Sequence, residues 1–385
     1  MTPRPASTSA SASASSHGAD VGSGAGAGRA PGRRALLAGA ASAVGGALVG
    51  AQVAAAAPTQ AARRARTTAV SAARPVTATP ASLLQTSASG LPFMLGAAGD
   101  GVASGEYERQ LGRRLDLTAT WADSTWASTH LPVLQAGGEL AGWTRALDVS
   151  LGAFGAGTTW AQAADGACDE AWTTSLTLLA RLRAGATGTT FIRFAHEMNG
   201  NWYPWSVAPD QVGDFQRGWQ RYRALQQRLF PAARLVFSLN HNTVGLDADS
   251  SVLHPGSGQA DVLGVGYYNR YPYLATAADF AGWLPARDRW GGPAGLDAFR
   301  ALAATWGLPL AVPEWSLCAD GSGGDAPEFV TALHDWLTTH AGAGAGQVLY
   351  ACQFNVSSGF GGAFTLLPPG ELPRASAEYR RCFGA

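Results

Sequence analysis

Residues 191–205 read Phe191-Ile192-Arg193-Phe194-Ala195-His196-Glu197-Met198-Asn199-Gly200-Asn201-Trp202-Tyr203-Pro204-Trp205. A short apolar run passes directly into an imidazole, a carboxyl, amides and two tryptophans. A run this short, rich in Phe and Ile, predicts a buried strand. The same unit recurs on both sides. Before it stand runs at 93–96, 115–121 and 146–152; after it, runs at 235–240, 262–268, 310–314 and 347–354. Helical stretches are expected over 104–114, 167–184, 209–229, 296–306 and 326–339, the third opening on Pro209, as helices favour. Eight strand-like runs in about 295 residues, mostly with helices between them, predict an α/β chain folded as a (β/α)8 TIM barrel over residues 91–385. An open doubly wound sheet would want a GxGxxG turn after its first strand. Gly96-Ala97-Ala98-Gly99-Asp100-Gly101 lacks that register, and no helix opens at once.

The composition narrows the partners. With 46% hydrophobic residues and 13 Trp in 385, disorder of the whole chain is excluded. All 27 basic residues are Arg. Residues 1–90 hold eight Arg and one acid, Asp20, which leaves 19 Arg against 26 acids beyond residue 90. That body is acidic and carries no basic stripe, so nucleic acid is not an expected partner.

Residues 1–30 are a low-complexity Ser, Ala, Gly and Thr segment. Arg33-Arg34-Ala35-Leu36-Leu37, a weakly apolar stretch and Ala55-Ala56-Ala57 before Pro58 resemble a twin-arginine export signal, with Gly32 where Ser or Thr is usual. Residues 1–57 are therefore read as an export segment and 58–90 as an Ala/Thr/Pro linker. The competing reading is a membrane anchor. Residues 35–57 are uncharged and long enough to span a bilayer, but Ala and Gly make them only feebly hydrophobic. The expectation is a secreted monomer that meets a membrane only if the segment is uncleaved. For an exported body, Cys168, Cys318, Cys352 and Cys382 predict one or two disulfides of unreadable pairing. No CxxC pair exists, so neither a metal nor a cofactor is expected.

In a barrel of this kind, chemistry sits where strands end. Glu197 ends the fourth run and Glu314, in Pro313-Glu314-Trp315, the seventh. Two carboxyls across one mouth are what a retaining glycosidase needs: one protonates the leaving oxygen, the other attacks the anomeric carbon from about 5–5.5 Å away. Tryptophans suit the C–H faces of sugar rings. A zinc protease HExxH is excluded because Gly200 stands where the second His would be.

The stretch 193–205 resembles the signature of glycoside hydrolase family 26, which includes many β-mannanases. The resemblance implies Glu197 as general acid/base and Glu314 as nucleophile. It implies that His196 binds sugar hydroxyls where most of the clan has Asn. Residues 261–269 are similar to the family's sixth strand, whose Tyr, here Tyr268, hydrogen-bonds the nucleophile. Trp202, Trp205, Asn240, Trp315 and Arg193 complete the candidate substrate-binding set, with Arg193 expected to orient a carboxylate rather than touch sugar. Two features depart from the family. The third run ends Leu151-Gly152-Ala153-Phe154 in place of a Trp-His pair, and Gly266 replaces the usual strand-six Asp. The expected activity is double displacement on a β-linked polysaccharide, of mannan type or a related β-glycan. For that, Glu197 needs a pKa above the ordinary value of about 4.3. Two other readings stay open: a non-catalytic carbohydrate-binding barrel, and a transglycosylase on the same residues.

Overall fold

The computed structural model of this chain describes residues 87–357 and 364–385. The expected export segment, and the linker up to residue 86, lie outside the described residues. Among the described residues no helix is long and apolar enough to cross a membrane.

Eight parallel strands close into a barrel in chain order: β1 Met94–Gly99, β2 Leu117–Ala122, β3 Ala146–Leu151, β4 Thr190–Phe194, β5 Arg234–Asn240, β6 Val262–Asn269, β7 Leu310–Leu317 and β8 Val348–Asn355. The TIM barrel read from the sequence is the fold, and each expected run supplies one strand. The helices are α1 Glu106–Leu111, α2 Thr125–His130, α3 Trp160–Ala164, α4 Asp169–Leu182, α5 Val212–Leu229, α6 Ala277–Trp283, α7 Leu296–Thr305, α8 Pro327–Thr339 and α9 Pro373–Phe383. The expected helix at 104–114 is shorter because Gly105 and Gly112, both left-handed, end it on either side. The stretch opening on Pro209 starts as one 3-10 turn before α5. Helices α2, α3, α6 and α9 are short and lay outside the expected stretches. Thr159 and Thr276 start α3 and α6 with reciprocal capping boxes.

Alternation along the strands divides the core in two. Outward-facing Leu147, Val149, Ile192, Phe194, Leu235 and Phe237 meet the helices in one large apolar layer. There Phe194 stacks on Tyr222 of α5 with ring centroids 3.6 Å apart, and Trp219 meets Phe237 edge-on at 5.1 Å. Inward-facing Met94, Leu117, Ala146, Phe191, Val236, Val262, Ala311 and Tyr350 plug the N-terminal end of the barrel. Ser89, just before β1, fastens the entry strand: its N–H and hydroxyl both donate to the Asp116 carboxylate, at 3.0 and 2.6 Å.

The expected disulfides are absent: all four cysteines are free. Cys168 caps α4, Cys318 follows β7, Cys352 faces into the barrel from β8, and Cys382 lies in α9. Burial raises the thiol pKa of each, so none is poised as a thiolate.

Candidate active site

One layer above the apolar plug the interior becomes polar. Asp148 of β3 and Arg193 of β4 point inward, and both are essentially without solvent. The Arg193 guanidinium donates to Asp148 through Nε and to Glu314 through Nη1. Tyr350 of β8 donates to the other Asp148 oxygen. A buried cation shared by two carboxylates is stable only because each charge has a partner in hydrogen-bond contact.

Glu314 owes its direction to an irregularity in β7. In register with β6, Ala311 pairs with Gly264 but Glu314 pairs with Gly266, so three residues of β7 span two of β6. Strict alternation from inward-facing Ala311 would have turned Pro313 inward and Glu314 out to the helices. The bulge at Val312-Pro313, where proline has no N–H to donate, reverses this. Glu314 Oε1 then accepts from Trp121 Nε1 at 2.6 Å as well as from Arg193, and Oε2 accepts from the Tyr268 hydroxyl at 2.8 Å. Burial pushes this carboxyl up, but the Arg193 charge and hydrogen bond, with the Trp121 hydrogen bond adding to them, outweigh burial and hold it below the ordinary carboxylate range.

Glu197 is presented differently. The fourth strand was expected to run through residue 197, but it stops at Phe194. Ala195 and Glu197 take left-handed backbone conformations, φ 49° and 54°. Such conformations are costly for side chains other than glycine and persist only where neighbours enforce them. Here β5 enforces them. The Glu197 N–H donates to Ser238 O at 2.8 Å. Asn199, fully buried, donates to Asn240 O and accepts the Asn240 N–H, both at 2.8 Å. The Asn199 side chain thus continues the ladder where the strand has ended. The Glu197 carboxylate accepts from Asn240 Nδ2 at 2.6 Å and Trp202 Nε1 at 2.9 Å, both neutral donors. A methyl placed on Gly266 would stand 2.7 Å from Glu197 Oε1. The space of the missing strand-six side chain is therefore filled by the acid itself. Gly266 is also the register partner of Glu314, and neighbouring strands lie about 4.8 Å apart. Gly266 thus lies beside both acids.

The other candidates divide. Tyr268, Trp202 and Asn240 reach the two carboxylates directly. Arg193 orients Glu314 and Asp148 and, at 1% exposure, is out of a substrate's reach, so its place in the substrate-binding set is corrected to a positioning role. Trp315 is corrected outright. It follows inward-facing Glu314 on the same strand and so faces out, packed against Tyr379 and Phe383 of α9. Trp205 is buried behind the site, stacked on Tyr203 at 4.4 Å and donating to His196 O at 2.9 Å. His196 is also buried. Its Nδ1 meets Ser150 Oγ and its Nε2 meets the Tyr203 hydroxyl at 2.8 Å, so neither nitrogen is left for a sugar hydroxyl. Burial, then the Arg193 charge, push the imidazole down to about 3, and it is neutral.

The sequence reading missed Trp121, Asp123, Ser150 and Tyr203. Trp121 is the last inward position of β2. With Phe354, Tyr268 and Phe364 it makes an aromatic wall around Glu314, at centroid distances of 5.2 to 5.7 Å. Asp123 follows β2, with its side chain one-third exposed and Oδ1 3.3 Å from Ser150 Oγ. Burial and the Glu314 charge, against Arg193, push it up to about 7. Among the described residues no group of three His, Cys, Asp or Glu side chains could hold a metal ion.

No family model and no curated protein matches the chain. Solved structures do. GH26C from a Muricauda species aligns with TM-score 0.55 and 14% identity, covering 76% of this chain and 85% of its own. The catalytic domain of a GH26 endo-β-1,4-mannanase from Bacillus sp. JAMB-750 aligns with TM-score 0.54 and 14% identity, covering 77% and 88%. An endo-β-1,4-mannanase double mutant from Cellulomonas fimi aligns with TM-score 0.51 and 16% identity, covering 76% and 71%. The chain has a barrel fold like that of the GH26 mannanases.

Proposed function

We propose that the protein is a retaining glycoside hydrolase that cuts a β-linked polysaccharide of mannan type. One observation carries the reading: Gly266 of β6 lies beside both acids, as the register partner of Glu314 and with its Cβ position 2.7 Å from Glu197 Oε1. Glu314 is held ionised by a guanidinium, an indole and a phenol. Glu197 accepts from an amide and an indole, and in the proposed mechanism it is the acid that carries the proton. In the first step Glu314 attacks the anomeric carbon while Glu197 protonates the departing oxygen. In the second, Glu197 takes a proton from water, which displaces Glu314. Trp121, Trp202 and Tyr268 supply flat apolar surface for pyranose rings. The mannan assignment leans on the fold shared with the GH26 mannanases and on the His196–Trp205 motif.

The test is the anomeric configuration of the first-formed product from β-1,4-mannan or a soluble mannooligosaccharide, followed by proton NMR. The β-anomer is expected first. With Glu314→Ala, turnover is expected to fall at least about a thousandfold, some 4 kcal/mol of barrier, with binding retained. A loss under about tenfold removes Glu314 from the role. The Arg33-Arg34 segment supports export as part of the proposal. Replacing the pair by Lys should strand activity inside the producing cell.

A further inference from the structure

Asp123 is the acid near the mouth that double displacement leaves without a task. Trp121, whose indole donates to Glu314 at 2.6 Å, is the last inward residue of β2. Ala122 turns out into the apolar layer, and Asp123 comes back inward, about 7 Å further along the chain toward solvent. The β2–β3 ladder still holds at this level, since the Gly152 N–H donates to Ala122 O at 3.1 Å. The Asp123 carboxyl therefore lies one pleat above the layer of Trp121, Ser150 and Arg193, which are register partners across β2, β3 and β4. Beside it the chain leaves β3 through Gly152, where a Cβ would stand 2.1 Å from the Asp123 carbonyl oxygen and 2.7 Å from the Trp205 ring. Gly152 has no side chain with which to cover the acid.

Asp123 is held from behind and open in front. Its Oδ1 accepts from Ser150 Oγ at 3.3 Å. His196 is neutral and has a single ring N–H. With Ser150 donating to the acid, that N–H is on Nδ1 and donates to Ser150, while Nε2 accepts from the Tyr203 hydroxyl at 2.8 Å. Ser150 and His196 are at most 1% exposed, but a third of the Asp123 side chain is reached by solvent. Oδ2 has no hydrogen-bond partner among the described residues, and the basic side chain within 4 Å of the carboxyl, His196, carries no charge. The fold gains little from such an acid. Partial burial and the Glu314 charge push it up to about 7, so ionising it costs stability. A carboxyl kept at that cost, oriented by buried groups and with one oxygen unspent, has the features of a group that meets a ligand.

A sugar attacked by Glu314 presents its anomeric carbon to that carboxylate, and its hydroxyls then meet the walls around it. The step of about 7 Å from Trp121 to Asp123 is comparable to the length of one sugar residue. We propose that Asp123 is a substrate-contact residue whose Oδ2 takes a hydroxyl of the ring that Glu314 attacks, and so helps to select the ring accepted at the cleavage point. This role rests on the hydrolase reading and deepens it at the same site.

The experiment uses the full chain and 2,4-dinitrophenyl β-1,4-mannobioside, together with three analogues that lack the 2-, 3- or 6-hydroxyl of the ring bearing the dinitrophenyl group. Asp123→Ala is expected to lower kcat/KM on the parent substrate about tenfold, the worth of one hydrogen bond to such a group. On the analogue that lacks the partner hydroxyl, wild type and variant should differ by less than about twofold, because the contact is already gone. Asp123→Asn keeps the shape of the side chain and should lose about threefold with the same dependence on the analogue; it carries the test if the alanine variant does not fold. A loss that is equal on all four substrates marks a purely structural role and overturns the proposal, as does an unchanged kcat/KM on the parent. Either result leaves the hydrolase reading standing. If the intact chain cleaves none of the four, the hydrolase reading on mannosides is removed, and calorimetric titration with mannotriose decides the contact. Binding about tenfold weaker in Asp123→Ala upholds it, and equal binding or none overturns it.

Discussion

Removing one oxygen tests how Glu314 is kept ionised. Tyr268→Phe preserves the ring, and with it the edge contacts to Phe354 and Phe364, while deleting the 2.8 Å bond to Glu314 Oε2. Hydrogen bonds to a charged group contribute about 1.5–3 kcal/mol. Oε1 keeps Arg193 and Trp121, so the lower end of that range applies. At about 1.4 kcal/mol per pKa unit, the Glu314 carboxyl should rise by about one unit. The acidic limb of the pH profile of kcat/KM reports the free enzyme's ionising nucleophile, and that limb should move up by the same amount while the basic limb stays. Stability should follow with a definite sign. A carboxyl held below its ordinary range stabilises the fold above its unfolded pKa, and that contribution is lost as pH falls through the folded value. The variant should therefore be about 1.4 kcal/mol less stable than wild type at pH 7 in urea unfolding, and the gap should close in acid. An acidic limb that does not move, with no stability difference at pH 7, would refute the claim that Tyr268 helps to hold the charge on Glu314.

Three further outcomes follow from the same geometry. Gly266→Ala places a methyl 2.7 Å from Glu197 Oε1, so the acid must swing away; kcat should drop at least about tenfold with circular dichroism unchanged, and a kcat within twofold of wild type would show that the carboxyl has room to spare. Asp123 is pushed up to about 7, so the folded chain holds its proton through a range where the unfolded chain has lost it, and stability drains away as pH rises from about 4 to 7. Asp123→Asn should therefore gain in Tm relative to wild type between pH 4 and pH 8, and a constant difference would count against the raised value. Trp315→Leu should cost about 2–4 kcal/mol of unfolding free energy through the void left against α9, with kcat/KM of the folded enzyme unchanged. A selective loss of kcat/KM would return Trp315 to the site.

The strands were legible because buried parallel strands are continuous apolar runs, and each run kept its place in the barrel. The acids were legible because the (β/α)8 topology puts strand ends at the working face. What failed was the assignment of facing within a run. Glu314 and Trp315 were both placed at the mouth, yet neighbours on a strand point to opposite sides. Only one could enter, and the bulge at Pro313 chose the acid. A proline inside an apparent central strand is itself the signal of such a bulge. His196 and Trp205 were misplaced for a related reason. The chain leaves β4 at Phe194 through left-handed residues, and a turn of that kind breaks the alternation from which facing is read. Trp121 and Asp123 carried no motif, since nothing in Trp121-Ala122-Asp123 tells that β2 ends beside Glu314. The disulfides failed because parity and export say nothing of where thiols meet in space: even Cys318, after β7, and Cys352, on the neighbouring strand β8, stay free.

The charges of the site act together. Arg193 is a single buried cation set between Asp148 and Glu314, and its field reaches the groups around it. It helps to hold Glu314 ionised and contributes to keeping His196 neutral, with burial the larger cause for the imidazole. A neutral His196 adds no second cation beside Glu314 and leaves its two nitrogens to position Ser150 and Tyr203. On the other side, Asp123 retains its proton toward neutral pH because it is partly buried and because Glu314 is already negative. The mouth thus carries carboxyls in excess of cations. It suits a reaction in which positive charge develops on a ring carbon, since negative charge fixed in place needs no reorganisation as the transition state forms.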